Sequence, residues 1–120
     1  MVDVELVVQS EAELSEVSAQ DLADDLGDIF RSPPGRTWVR LVALDTRQYA
    51  ENRSALEKGD LPAFVTVLHA RPPEGAARAD EVMAITHAVA RVIKRAPEHV
   101  HVRYAPAATG RQAFGGKLVE

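Results

Sequence analysis

The sequence predicts an α+β fold, in which two β-α-β repeats form a four-stranded sheet with two helices on one face. One observation is that the order of strand, helix, proline break and strand occurs twice. Another is that matching residues of the two halves, Pro34 with Pro97 and Arg40 with Arg103, lie 63 positions apart. A helical crossover of this length normally joins parallel strands, so each half forms one parallel pair. With 120 residues, the chain is long enough for one domain with a modest core.

The first repeat covers residues 1–44. Its opening segment, VDVELVV, alternates and then becomes continuously apolar, as a strand does. Ser10 and Glu13 fit a capping box, which marks the start of a helix. The prolines of RSPPGRT end this helix, and TWVRLVAL has the pattern of a second strand. The apolar stripe of the helix consists of Leu14, Val17, Leu22, Leu26 and Ile29.

The second repeat covers residues 61–106 and follows a polar linker at residues 45–60. PAFVTVLHA is its first strand, RPPEG is a turn, and a proline break followed by EHVHVRYAP closes the repeat. The tail, residues 107–120, has glycines as turn points and a short strand at Leu118–Val119 that is suited to reaching a neighbouring chain. The helix of this repeat is marked by Val82, Ile85, Val89 and Val92, spaced three and four apart.

Composition excludes several classes of protein. The net charge is −4 at pH 7 and the acidic residues are dispersed, which argues against nucleic acid as a partner. There is no cysteine, so disulfides and thiolate metal sites are excluded. No apolar run approaches the roughly 20 residues of a membrane span, and the acidic first segment is unlike a signal peptide. We therefore expect a cytoplasmic protein that binds neither membrane nor nucleic acid.

Two helices cover only one face of a four-stranded sheet. The opposite face would leave Val, Leu and Phe side chains in water, which is a large apolar patch for a monomer. We therefore expect the chain to associate with copies of itself through this face.

The segment EHVHVRYAP raises the main question about function. Side chains two apart on a strand share a face, so His99, His101 and Arg103 are expected to line one wall. The pair of histidines also has a spacing found in strand-borne zinc ligands. No third ligand lies at a suitable spacing, so we expect no metal site.

The internal repeat places a matching wall in the first half, formed by Arg36, Trp38 and Arg40. The planar fork of arginine suits a carboxylate, and histidine exchanges a proton near neutral pH. The alternatives are arginines that are solvated or ion-paired, and a tryptophan that only packs. The pattern therefore indicates a basic site for a small carboxylate but does not establish one.

Several segments together resemble the tautomerase superfamily, in the branch that contains macrophage migration inhibitory factor and its bacterial relatives. They are the doubled β-α-β unit, SPP at Ser32–Pro34, FVTVLHA at Phe64–Ala70, PEHVHVRY at Pro97–Tyr104 and the closing FGG. The resemblance implies a homotrimer with active sites at the subunit boundaries. It also implies proton transfer on small keto and enol acids, without metal or cofactor.

The chain departs from this family at the catalytic base. The family uses an amino-terminal proline, whereas the residue after Met1 here is Val2. If Met1 is removed, Val2 offers a primary amine with an ordinary pKa of about 8, which burial would lower toward neutrality. If Met1 is retained, the nitrogen of Val2 is an amide and cannot act as a base.

The resemblance also implies which residues meet the substrate. Arg103 and His101 fall at active-site positions of the branch, Arg36 falls at a pocket tyrosine, and Arg71 lies close to substrate-holding groups. Together Arg36, Arg71 and Arg103 would bind a carboxylate and stabilise an enediolate as its charge develops. His101 would then exchange the proton.

Two functions stay open on the sequence. One is a tautomerase-like isomerase in which His101, or Val2 after loss of Met1, acts as the base. The other is a catalytically silent relative that binds a metabolite or serves as a structural partner.

Overall fold

The computed structural model describes residues 1–120 and confirms the predicted α+β class. The first four strands form one sheet in the order β2-β1-β3-β4, and β5 pairs with β6 in a separate hairpin. The helices are α1 (Glu11–Ser15), α2 (Ala19–Phe30) and α3 (Gly75–Ile93). The strands are β1 (Val2–Val8), β2 (Val39–Asp45), β3 (Ala63–Val67), β4 (Val100–Tyr104), β5 (Ala113–Phe114) and β6 (Lys117–Leu118).

Each repeat contributes one parallel pair of strands, as predicted. β1 runs parallel to β2, with Val4 opposite Leu41, and β3 runs parallel to β4, with Val65 opposite Val102. The two central strands, β1 and β3, are antiparallel and bring Val4 opposite Val65. As a result, the start of β1 lies beside the start of β2 and the end of β3. The residues that flank these three strand ends therefore meet at one end of the sheet.

The core lies between the sheet and the two longer helices. α2 contributes Leu22 and Leu26, α3 contributes Ile85 and Val89, and all four side chains are fully buried. They pack on the helix-facing valines of the central strands. Because burying such a side chain is worth about 1.5–3 kcal/mol, this layer supplies most of the stability of the fold. No helix combines the length and the apolar composition that crossing a membrane requires.

The single helix predicted after β1 is in fact two helices. A new N-cap separates them, since the side chain of Ser18 accepts a hydrogen bond from the Asp21 amide at 3.0 Å. The predicted capping box at α1 does not form. The Glu13 carboxylate accepts from the amide of Gln9 rather than that of Ser10, at 2.9 Å, and Ser10 makes no side-chain capping bond. The apolar periodicity continues across the break, but the Ser18 side chain caps a new helix start, so the chain forms two helices instead of one.

The face of the sheet opposite the helices carries more charge than expected. One row across the four strands consists of Arg40, Asp3, Thr66 and Arg103, in that order. Asp3 accepts two hydrogen bonds from Arg40, at 2.6 and 2.8 Å, and Arg103 donates to Thr66 Oγ1 at 3.0 Å. The open face is thus mixed rather than apolar. Its apolar members include Val42, Leu44 and Phe64.

The segment between the repeats is largely irregular, with short 3-10 turns at Thr46–Gln48 and Lys58–Asp60. Its polar composition agrees with this position outside the core.

The tail folds back as a small hairpin. Its final strand lies one residue earlier than predicted, at Lys117–Leu118 rather than Leu118–Val119. Gly115 and Gly116 have φ angles of 57° and 83°, which glycine adopts without strain, and they form the turn between β5 and β6. The hairpin brings the tail back over the end of the sheet where the strand ends meet.

Candidate active site at one end of the sheet

A groove of about 420 Å³ lies where the start of β1 meets the start of β2 and the end of β3. Met1 lines this groove together with His69, which follows β3, and Arg36, which precedes β2. Phe30 and Trp38 contribute apolar walls. The groove therefore combines an amine, an imidazole and two arginines, Arg31 and Arg36, with apolar surface. This composition suits a small anionic organic ligand.

The amino group of Met1 is held in place by the neighbouring chain segment. It donates to the carbonyl of Leu68 at 3.0 Å, and the amide of Leu68 donates back to the carbonyl of Met1 at 2.8 Å. Burial lowers the pKa of this amine from its usual value of 8.0, against a smaller opposing effect of the Asp3 carboxylate. More of the amine is therefore the neutral base near pH 7 than at an ordinary amino terminus.

Val2 is fully buried at the start of β1, and its amide donates to the carbonyl of Trp38 at 2.8 Å. With Met1 in place, the nitrogen of Val2 is an amide and the amine in the groove belongs to Met1. The possible role of the Met1 amine was missed from the sequence. The signal was available, because a residue that directly precedes a strand lies at the same end of the sheet as the strand start.

A tight turn positions Arg36 at the groove. The Arg36 amide donates to the carbonyl of Pro33 at 3.1 Å, which closes a four-residue turn around Pro34 and Gly35. Pro34 has a fixed φ and Gly35 has a φ of 77°, the combination that a type II turn requires. The Arg36 side chain is exposed and takes part in none of the ion pairs of the chain. Its guanidinium is therefore free to bind a ligand carboxylate.

Two aromatic rings close one side of the groove. Trp38 and Phe114 meet edge to face, with ring centroids 5.0 Å apart and planes at 87°. Nε1 of Trp38 donates to the carbonyl of Gly35 at 2.9 Å, so the indole is held over the turn that positions Arg36. Phe114 comes from the tail hairpin. The predicted ligand contact Trp38 thus lies in the groove, and the tail supplies its partner.

A polar cluster reaches the groove from the helix side of the sheet. Nε2 of His69 lies 3.0 Å from Oε2 of Glu81, and the same oxygen accepts a hydrogen bond from the hydroxyl of Tyr104. The His69 ring stacks on Tyr104 at a centroid distance of 5.9 Å and meets Phe30 edge on at 4.9 Å. Burial, and then the hydrogen bond to Glu81, raise the pKa of Tyr104, so its hydroxyl stays protonated. The result is a carboxylate–imidazole pair whose imidazole lines the groove.

The other predicted site residues lie elsewhere in the same chain. His101 and Arg103 line a second, larger groove of about 770 Å³ on the open face of the sheet. Arg71 donates to the backbone carbonyl of Glu120 at 3.1 Å. One chain therefore does not bring Arg36, Arg71 and Arg103 to the same place. A site that uses all three requires a second protomer.

The basic walls differ from the prediction at two further residues. His99 is the last residue of a 3-10 turn rather than part of β4, and its ring lies 3.3 Å from the carboxylate of Asp60. Arg40 faces the open side of the sheet, whereas Trp38 lines the groove at the strand ends, so the two do not share a wall. No group of three or more His, Asp or Glu side chains is arranged to hold a metal ion.

Glu81 and Tyr104 were not singled out from the sequence, although both carried a signal. Glu81 lies four positions before Ile85, on the buried side of α3, where an unpaired carboxylate is costly. Tyr104 lies on the core-facing side of β4, and a buried tyrosine hydroxyl usually finds a partner. The Tyr104 hydroxyl donates to the Glu81 carboxylate, so each group provides the partner that the other needs. His69 contacts the same carboxylate oxygen.

Known proteins resemble this chain in structure rather than in sequence. No protein-family model and no curated protein matches the sequence. F6 fused 4-OT, an asymmetric trimer, is 13% identical with a TM-score of 0.76, over 98% of this chain and 94% of that one. A malonate semialdehyde decarboxylase is 16% identical with a TM-score of 0.66, over 96% and 90%. Macrophage migration inhibitory factor from Trichinella spiralis is 12% identical with a TM-score of 0.68, over 98% and 97%.

These three proteins belong to the tautomerase superfamily and differ in their named activities. At such low identities the similarity establishes the fold and leaves the activity to the residues of this chain. The matches extend over both β-α-β repeats and the tail. The chain has the fold of the tautomerase superfamily.

Proposed function

We propose that this protein binds a small keto or enol carboxylate in the groove around Met1 and catalyses its keto–enol isomerisation without a cofactor. The observation that carries the proposal is the convergence of a desolvated amine, an imidazole and an unpaired guanidinium in one groove. The guanidinium of Arg36 fits a carboxylate. A neutral amine or imidazole can accept the proton that moves between carbon and oxygen.

The names of the matched proteins support an oxo acid as the ligand class. Malonate semialdehyde, named for one of them, is a three-carbon oxo carboxylate. A ligand of this size leaves room in a groove of about 420 Å³ for a larger organic group against Trp38 and Phe114. The groove thus accepts a carboxylate at its basic side and an apolar body at its aromatic side.

We propose further that three copies assemble through the open face of the sheet. F6 fused 4-OT is a trimer, which supports self-association in this fold. The open face presents Val42 half exposed, beside a row of charged groups that a neighbouring chain can pair. β4 is an edge strand, so His101 and Arg103 are placed to face a neighbouring protomer.

In this assembly, a neighbour completes the site. Arg103 and Arg71 add two guanidinium groups to the carboxylate site that Arg36 begins, and all three stabilise the enediolate. His101 is then a second candidate for the proton transfer. Val2 provides the amine only in a chain from which Met1 has been removed.

The proposal is tested with phenylenolpyruvate as the substrate. The purified protein should convert the enol to the keto form faster than buffer alone, and intact mass shows whether Met1 is present in the active sample. Binding of phenylpyruvate without turnover would instead support the catalytically silent relative. Absence of both binding and turnover would remove the groove as a carboxylate site.

A further inference from the structure

We propose that His69 is the catalytic base in this groove, and that Glu81 and Tyr104 are positioning residues that set its tautomer. The inference rests on the proposed function, because it assigns the proton transfer of that reaction to one atom, Nδ1 of His69. It places the base on a partly buried hydrogen-bond network rather than on the amino terminus.

The hydrogen bonds of Glu81 decide which nitrogen of His69 carries the proton. A carboxylate only accepts hydrogen bonds, and Oε2 of Glu81 lies 3.0 Å from Nε2 of His69. Nε2 must therefore be the protonated nitrogen of the neutral ring. Tyr104 donates to the same oxygen, which keeps Glu81 in the role of acceptor for both neighbours. Nδ1 is left with a free lone pair.

Nδ1 has no hydrogen bond within the chain. Every buried side-chain nitrogen and oxygen has a partner, so Nδ1 is accessible to solvent. The cavity that His69 lines is the one that holds Met1 and Arg36. Stacking on Tyr104 and the edge contact with Phe30 restrict the ring. An imidazole held by a carboxylate on one nitrogen and free on the other is arranged as a general base.

The charged groups around His69 favour proton transfer to it. Glu81 of α3, whose side chain is 15% exposed, stabilises the imidazolium that forms when Nδ1 takes a proton. Met1, which precedes β1, and Arg36, which precedes β2, line the same groove, and the guanidinium of Arg36 favours the anion that remains on the ligand. From α3, the guanidinium of Arg78 lies over the ring of Tyr104, 5.5 Å from its centroid. These groups, with Arg31 of the same groove and the Tyr104 hydroxyl from β4, are the charged and titratable groups around the imidazole.

The proton transfer balances within the ligand and His69. In the keto-to-enol direction, Nδ1 takes the proton from the carbon next to the carbonyl. The electron pair of that C–H bond becomes the C=C bond, and the π pair of the carbonyl moves to its oxygen. The imidazolium then returns the proton to this oxygen, which yields the enol and neutral His69. The reverse sequence converts enol to keto.

His69→Gln is the direct test, because the glutamine amide can still donate to Glu81 but cannot take a proton from carbon. Its kcat with phenylenolpyruvate should fall by about 10²- to 10⁴-fold, the usual contribution of a general base. The Kd for phenylpyruvate, measured by calorimetry, should change little. The matched control is His87→Gln, an exposed histidine on the outer side of α3, which should keep the wild-type rate.

Glu81→Gln tests the positioning role. The glutamine amide can donate as well as accept, so Nε2 is no longer fixed as the protonated nitrogen, and proton–nitrogen NMR spectra should show that His69 has lost its single tautomer. A purely structural role of Glu81 would lower the rate without changing the tautomer.

A measurement on the wild-type protein keeps the proposal testable if the variants do not fold. Proton–nitrogen NMR spectra of the histidine rings should show His69 protonated at Nε2 and unprotonated at Nδ1, with Nδ1 perturbed by added phenylpyruvate. The opposite tautomer, or an unchanged rate in His69→Gln, would overturn this inference. If the wild type still turns over the substrate, the proposed function stands. A wild-type protein that binds phenylpyruvate but shows no turnover overturns the role of His69 together with the proposed catalysis.

Discussion

Replacing Arg36 with glutamine should weaken carboxylate binding by at least about tenfold. The guanidinium has no acidic partner in the chain, so its whole hydrogen-bonding capacity is available to the ligand. Hydrogen bonds to a charged group are worth about 1.5–3 kcal/mol, which corresponds to roughly 10- to 150-fold in Kd. Because Arg36 is exposed in the single chain, we expect the lower end of this range.

The assay is isothermal titration calorimetry with phenylpyruvate at two salt concentrations. Lys58→Gln removes one positive charge from an exposed site in the linker and is the matched control, with wild-type affinity expected. Arg36→Lys should fall between wild type and Arg36→Gln, since it keeps the charge but loses the planar fork. Higher salt should weaken wild-type binding more than binding by Arg36→Gln. Equal affinities of wild type and Arg36→Gln would show that Arg36 does not hold the carboxylate.

Three further predictions follow from the packing, the partly buried Tyr104 and the open face. Leu26→Ala, at a fully buried position, should lower the free energy of unfolding measured in urea by about 2–5 kcal/mol. Met83→Ala, at an exposed position, should change that free energy little. Similar losses in both variants would contradict the packing of Leu26 in the core. Because burial raises the pKa of Tyr104 above 10.0, its contribution to stability is present below pH 10 and is lost as pH rises through the folded-state pKa. Urea unfolding between pH 8 and 11 should therefore show a steeper loss in wild type than in Tyr104→Phe, and parallel curves would count against it. Sedimentation of the wild type should give about three times the 13.1 kDa chain mass. Val42→Lys replaces a half-exposed valine of the open face with a charge and should give a smaller mass. A monomeric wild type would exclude the assembly.

The site was predictable from the sequence only where its residues are close in the chain. Arg36 closes one short turn and Trp38 follows it, and PPG specifies that turn through the fixed φ of proline and the positive φ of glycine. The pair of His69 with Glu81 joins residues 12 positions apart, one after a strand and the other on a helix, so no local pattern connects them. Only packing of α3 on the sheet makes that contact.

The internal repeat misled the prediction of the basic walls for a related reason. The offset that matches Trp38 with His101 is correct in sequence, but β2 begins at Val39 while β4 begins at Val100. Trp38 therefore lies before its strand and lines the groove, whereas His101 lies within its strand and faces the open side of the sheet. Equal spacing in sequence does not guarantee equal position when the two strands differ in length.

By itself, the sequence determined the fold class and the pairing of strands within each repeat, because the two-residue and three-to-four-residue periods of apolar side chains are local properties. Tertiary structure alone decided which polar groups share a cavity. The antiparallel contact of β1 with β3 brings Met1 to Leu68, and the parallel contact of β3 with β4 places Arg103 beside Thr66 on the open face. Such meetings depend on the register between distant strands, and a register is set by the packing of the whole sheet rather than by any one segment.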